Sequence, residues 1–177
     1  FTSVNGSNNP GYGLARLDAA TGKTNLPLSA NSQVRDGGTK AAILSLKGDG
    51  DGFYGTGYDF GRTGNVEGSF MVDWSGNLKW IDDCHGDTYD IIPSGRVVYQ
   101  APHKHYCGNL GTGGFPQTET WSFQHGTAMT KFATGASKPD IYKYPDHPGQ
   151  PSPTLLNFFP DFMPGNFTGQ NQGPWDV

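Results

Sequence analysis

"GSFMVDWSGNLKW", residues Gly68–Trp80, decides the fold class. An apolar strand runs into Asp-Trp-Ser-Gly and a second strand restarts at Asn77. Glycine at the end of such a turn supplies the positive φ that a hairpin needs. Two further passages share the shape: "LARLDAATGKT" (Leu14–Thr24) and "TAMTKFATGAS" (Thr127–Ser137). Their turn glycines, Gly22, Gly76 and Gly135, recur at roughly 55 residues, a period suited to repeated units.

Between these turns lie hairpins of a second kind. "AAILSLKGDGDGFYGTGY" (Ala41–Tyr58) reads as strand, Gly-Asp-Gly-Asp-Gly turn, strand, and "TYDIIPSGRVVYQA" (Thr88–Ala101) as strand, Pro-Ser-Gly turn, strand. Alternating hairpins make four strands per repeat, the pattern of propeller blades. The expected fold is all-β: a β-propeller portion of about three four-stranded blades, incomplete at both ends. The units fall at residues 1–28, 41–80 and 87–137, within one domain spanning 1–177. Residues 138–177, holding eight of the thirteen prolines, read as an ordered aromatic arm leading toward a further blade, because proline is kept out of central strands. Phe1, in place of an initiator methionine, is read as an interior position of a longer chain.

Composition agrees with that class. The chain has 27 glycines in 177 residues, about twice the usual share. Only 16% of residues are charged while 13% are aromatic, which suits short strands joined by tight turns. A net charge of −4, with scattered Lys and Arg, argues against a nucleic-acid partner. No apolar run approaches the ~20 residues of a helical membrane span.

The opening "FTSVNGSNNPGYGLARLDAATG" resembles the repeat of large secreted bacterial β-propeller proteins, of the delta-sixty and quinoprotein-like type, whose blades read roughly "vGGxFtsvNGxxrxglArLdaaTG". The run from Gly68 to Cys107 is similar to members of the same group from Gram-positive bacteria. The resemblance implies a propeller fold and a secreted or cell-surface location. It also implies that unpaired strand edges meet protein neighbours or further propeller segments, since a bare edge invites association. Quinoprotein repeats carry a tryptophan four residues after the turn glycine. Trp80 fits that pattern after Gly76, but Leu26 and Pro139 stand at the matching places, and Lys131 replaces the acid found at Asp18 and Asp73. These departures favour a structural propeller over quinone binding.

Both cysteines lie in "IDDCHGDTYDIIPSGRVVYQAPHKHYC", Ile81–Cys107. In a secreted chain with two cysteines, a Cys84–Cys107 disulfide is the expected state. With Ser94-Gly95 as a two-residue turn, Cys84 faces His105, and Cys107 is a diagonal neighbour that a small bulge brings into reach. The alternative is zinc: His103 and His105, two apart on one strand, share a face, and His85, Asp87 or a cysteine would complete a tetrahedral shell. Asp49 and Asp51 on one tight turn offer carboxylates to calcium, without EF-hand spacing.

Hydrolytic chemistry finds little support. There is no Gly-x-Ser-x-Gly elbow. Asp82 and Asp83 would point to opposite faces of a strand, and His85 with Asp87 forms a dyad without an oriented nucleophile. Tyr142, Tyr144 and Trp175 are candidate stacking platforms for glycans, against the simpler role of filling space between blades. Asn5 and Asn166 begin formal glycosylation sequons. The sequence therefore points to a non-enzymatic extracellular binding or structural module, recognising a glycan or a protein, with no obligatory cofactor. Two alternatives stand beside it: a quinoprotein-like oxidoreductase or carbohydrate-active enzyme, and a subunit of an extracellular filament or envelope assembly.

Overall fold

The computed structural model describes residues 1, 3–5, 13–24, 28–82, 84–104, 107–110, 124–139, 147–158 and 160–162. Among them the regular structure is antiparallel β-sheet, with one 3-10 turn at Ser29–Ser32 and no α-helix. The all-β expectation holds. Strands β1 (Ala41–Gly48), β2 (Gly52–Asp59), β3 (Gly68–Asp73) and β4 (Leu78–Asp82) form a four-stranded meander. Strands β5 (Thr88–Ser94), β6 (Val97–Pro102) and β8 (Thr127–Thr130) form a second sheet. Two-residue strands complete the inventory: β7 (Gln124–His125) pairs with β11 (Asp161–Phe162), and β9 (Gly135–Ala136) with β10 (Pro151–Ser152). No closed sheet forms among the described residues.

Register explains how the first sheet is covered on both faces. Tyr54, Met71 and Trp80 stand opposite one another across β2, β3 and β4. Because side chains alternate along a strand, this row shares one face. It packs with Cys84, Ile91, Val98, Cys107, Leu110 and Met129 to form the core between the sheets. Trp80 is fully buried and its Nε1 donates to the Lys131 carbonyl at 2.9 Å, so its polar end is satisfied. The rows Phe53–Val72 and Gly55–Phe70–Ile81 point the other way. There they meet Leu14, Ala30 and Val34 of the N-terminal segment.

The opening hairpin forms because Asp73 collects the turn's donors. Its Oδ1 accepts the N–H of Ser75 at 3.0 Å and of Asn77 at 2.9 Å, and Gly76 takes φ +91. Asp18 does the same for Ala20 and Thr21, with Gly22 at φ +67. Arg16 ties the two turns together by donating to the carbonyls of Trp74 at 2.6 Å and Ser75 at 2.8 Å. The third passage departs from the expected hairpin. Gly135 lies in β9 and pairs with Ser152, and its φ is not positive. Lysine at position 131 has no acceptor for turn N–H groups, so the carboxylate that organises the other two turns is missing.

The second sheet gains a flank from the proline-rich region. Thr130 N–H donates to the Thr154 carbonyl at 2.9 Å, Leu156 N–H to the Ala128 carbonyl at 2.8 Å, and Met129 bridges Leu155. Residues 154–156 thus lie along β8 where a fourth strand would be. The β5–β6 turn is also shifted: Ser94 pairs with Val97, leaving Gly95-Arg96 as the turn rather than Ser94-Gly95. Gly95 is the residue with φ +61. The register shifts by one between Thr88 and Asp90, and Cys84 and Cys107 lie beyond the paired strands.

Candidate functional site

The Cys84–Cys107 disulfide is present, with Cα atoms 4.3 Å apart and both sulfurs fully buried. Beside it the inner faces of the two sheets carry a polar row that the sequence did not reveal. Ser45, Thr56, Ser69 and Asp82 align across β1 to β4. Asp82 is the centre. Its Oδ1 accepts the Cys84 N–H at 3.0 Å, and its Oδ2 accepts the Ser69 hydroxyl at 3.0 Å and Gln100 Nε2 at 3.3 Å. The Lys104 ammonium forms an ion pair with the same Oδ2, and both side chains are at most 1% exposed. Gln100 also donates to Ser69 Oγ at 2.6 Å and accepts from Thr127 at 3.0 Å. A buried charge persists only when paired and hydrogen-bonded, and Asp82 meets both conditions.

Among the described residues, Asp82, Cys84 and Cys107 are the one set of three His, Cys, Asp or Glu donors lying within 4.8 Å of one another. The two sulfurs are joined in the bridge, and a lysine ammonium already sits on the carboxylate. The donors expected for zinc are distributed differently. β6 ends at Pro102, so His103 lies beyond the strand, its N–H donating to the Asp87 carbonyl at 2.6 Å. His105 lies outside the described residues, as do Tyr142, Tyr144 and Trp175. His85 adopts φ +35, a conformation few non-glycine residues take. Its Nδ1 lies 3.3 Å from Glu67 Oε2, so its carboxylate contact is with Glu67.

Asp87 faces Tyr89, whose hydroxyl hydrogen-bonds its carboxyl. Burial, then the Glu67 charge, pushes Asp87 up to about 7. Burial and Asp87 together raise the Tyr89 phenol well above its ordinary value. Glu67, His85, Asp87 and Tyr89 come from the ends of β3, β4 and β5, at the disulfide-bearing end of the sheets. Glu67 was not legible in advance, because the loop before β3 contains no recognisable motif.

Asp36 lies deeper at the same end. It is fully buried, and its Oδ1 accepts the N–H groups of Asn65 at 2.9 Å and Val66 at 3.0 Å. A Cβ on Gly57 would sit 2.3 Å from its Oδ2, and one on Gly64 2.1 Å from its Oδ1, so both glycines admit the carboxylate. Burial, outweighing those two hydrogen bonds, pushes Asp36 up to about 7, with Asp59 and Glu67 adding repulsion. A folded value above the unfolded 3.8 means the native state binds the extra proton. Its stabilising effect is full below pH 4 and is lost as pH rises through about 7. Asp36→Asn should remove on the order of a few kcal/mol of that dependence. Urea midpoints at acid and mildly alkaline pH measure it; equal slopes for wild type and variant would refute the assignment. Asp87 titrates in the same sense, so some dependence remains in the variant.

At the opposite end, the Asp49 and Asp51 carboxylates converge as the turn suggested, and the cation between them is Lys131. Burial draws Asp49 upward, but the Lys131 ammonium and the Asp51 N–H outweigh it and hold its carboxyl below the usual range. Lys131, standing where the other two turns carry an aspartate, therefore connects the end of β8 to the β1–β2 turn. Its carbonyl receives Trp80 and its ammonium lies 5.5 Å from the Phe132 ring centroid.

No protein-family model, curated protein or solved structure matches the chain. The described residues contain no helix long and apolar enough to cross a membrane.

Proposed function

We propose that the chain is part of a secreted or cell-surface β-propeller acting as a non-enzymatic binding or structural module. One observation carries this reading: the carboxylates of Asp82, Asp49 and Asp51 are already engaged by lysine ammonium groups. Asp82 is taken by Lys104, Ser69 and Gln100, and Asp49 with Asp51 by Lys131. The buried disulfide suits an oxidising compartment. Two antiparallel sheets packed face to face, the second flanked by residues 154–156, suit consecutive blades. Among the described residues β1 pairs only with β2, and Leu44 and Leu46 on it are exposed. That edge suits a protein neighbour or a further propeller segment.

The second reading, a carbohydrate-active enzyme, rests on Glu67 and Asp87. Burial raises Asp87, which suits a carboxyl acting as an acid. The purified chain is to be tested against a glycan array and by sedimentation, with turnover of aryl glycosides assayed in parallel. Glycan capture or self-association without turnover is the expected result. Turnover abolished by Glu67→Gln would overturn the non-enzymatic reading.

A further inference from the structure

We propose that Lys104 and Asp82 condense to an intramolecular isopeptide bond between the sheets. The two groups are the most deeply buried ion pair of the described residues, in direct contact, with side chains 1% and 0% exposed. Held so, they meet the main requirement of an uncatalysed condensation, since fixed partners reach effective molarities of about 10⁵–10⁸ M.

The donors around the carboxyl are arranged for the step. A proton passes from the ammonium to Asp82, leaving a neutral amine and a carboxylic acid. The amine lone pair attacks Cγ, and the developing oxyanion at Oδ1 is met by the Cys84 N–H at 3.0 Å. Oδ2, the leaving oxygen, already accepts from the Ser69 hydroxyl at 3.0 Å and Gln100 Nε2 at 3.3 Å. The Nζ–Cγ bond forms and the Cγ–Oδ2 bond breaks. Oδ2 departs as water with the acid proton and one proton from nitrogen. No redox change and no co-reactant is involved. The product amide crosses from the end of β4 to the segment after β6, beside the disulfide.

The other lysine pairs are internal controls. Asp49 and Asp51 opposite Lys131 are 24% and 50% exposed, and Lys47 opposite Asp90 is 40% exposed. At least one partner of each of those pairs is open to water, so a single condensation is expected.

Intact mass of the reduced, denatured chain tests the proposal. The expected mass is lighter than the sequence mass by one water, and peptide mapping should show a branched peptide joining Lys104 to Asp82, uncut by trypsin after Lys104. Lys104→Arg should restore the full mass, folded or not. Asp82→Asn should lose ammonia and reach the wild-type product mass. An unmodified wild-type chain overturns the proposal. So does a water loss that persists in Lys104→Arg, which would point to succinimide at Asp36-Gly37, Asp49-Gly50 or Asp51-Gly52.

Discussion

Lys104→Met should destabilise the protein by about 3–5 kcal/mol, because it strands Asp82 as an uncompensated charge in the interior. The methionine fills much of the volume of the lysine stem, so cavity formation contributes little. What is lost is the one positive charge on a carboxylate that is 0% exposed. The loss is expected whether the contact is an ion pair or an amide, since either way Asp82 is left without its partner. For a chain of this size each kcal/mol lowers Tm by about 2–4 °C. The informative companion is Lys104→Met with Asp82→Leu. Replacing both members of a buried pair by apolar groups is often close to neutral, so the double variant should recover most of the loss, apart from what Ser69 and Gln100 lose as donors to Asp82. A single variant costing less than about 1 kcal/mol, the range of an exposed pair, would mean that water reaches Asp82.

Cys84→Ser with Cys107→Ser should lower stability by about 3 kcal/mol on the loop-entropy estimate. The bridge spans 23 positions in sequence and encloses the whole β5–β6 hairpin. Both sulfurs are fully buried, so each introduced hydroxyl would also need a hydrogen-bond partner inside the core. Denaturant midpoints measure the loss. Native protein should also resist mild reductant, because access to the sulfurs requires opening of the inter-sheet core. An unchanged midpoint in the double variant would show that packing alone holds this end.

The hairpins were legible because their signals are local. Alternating apolar residues on either side of Asp-Trp-Ser-Gly, or of Gly-Asp-Gly-Asp-Gly, specify strand, turn and strand without reference to anything distant. The β5–β6 turn was misplaced by one residue for a related reason. Ser94-Gly95 and Gly95-Arg96 both offer a glycine, both put Ile91 and Val98 on one face, and the second is the turn that forms. The third Thr-Gly passage carried the right residues at its end but lacked the aspartate at its start. Gly135 accordingly joined a different strand.

Site residues were legible in part. The cysteine pairing followed from there being two cysteines and one hairpin between them. His85 and Asp87 were singled out, but not Glu67, whose contact with His85 joins the segments flanking β3 and β4, nor Tyr89, which lies two residues from Asp87. Asp49 and Asp51 were read as an acidic hairpin turn with carboxylates open to calcium, but their contact with Lys131, distant in sequence, was not foreseen.

By itself the sequence determined what is local or compositional: all-β structure, the turns organised by Asp18 and Asp73, and the cysteines available to pair. Tertiary structure alone decided which polar side chains face inward together. Ser69, Gln100, Lys104 and Asp82 are unremarkable in sequence, and each would be ordinary on a surface. They become a buried network because strand register stacks them on facing sheets, where loss of water makes every unpaired donor or acceptor costly.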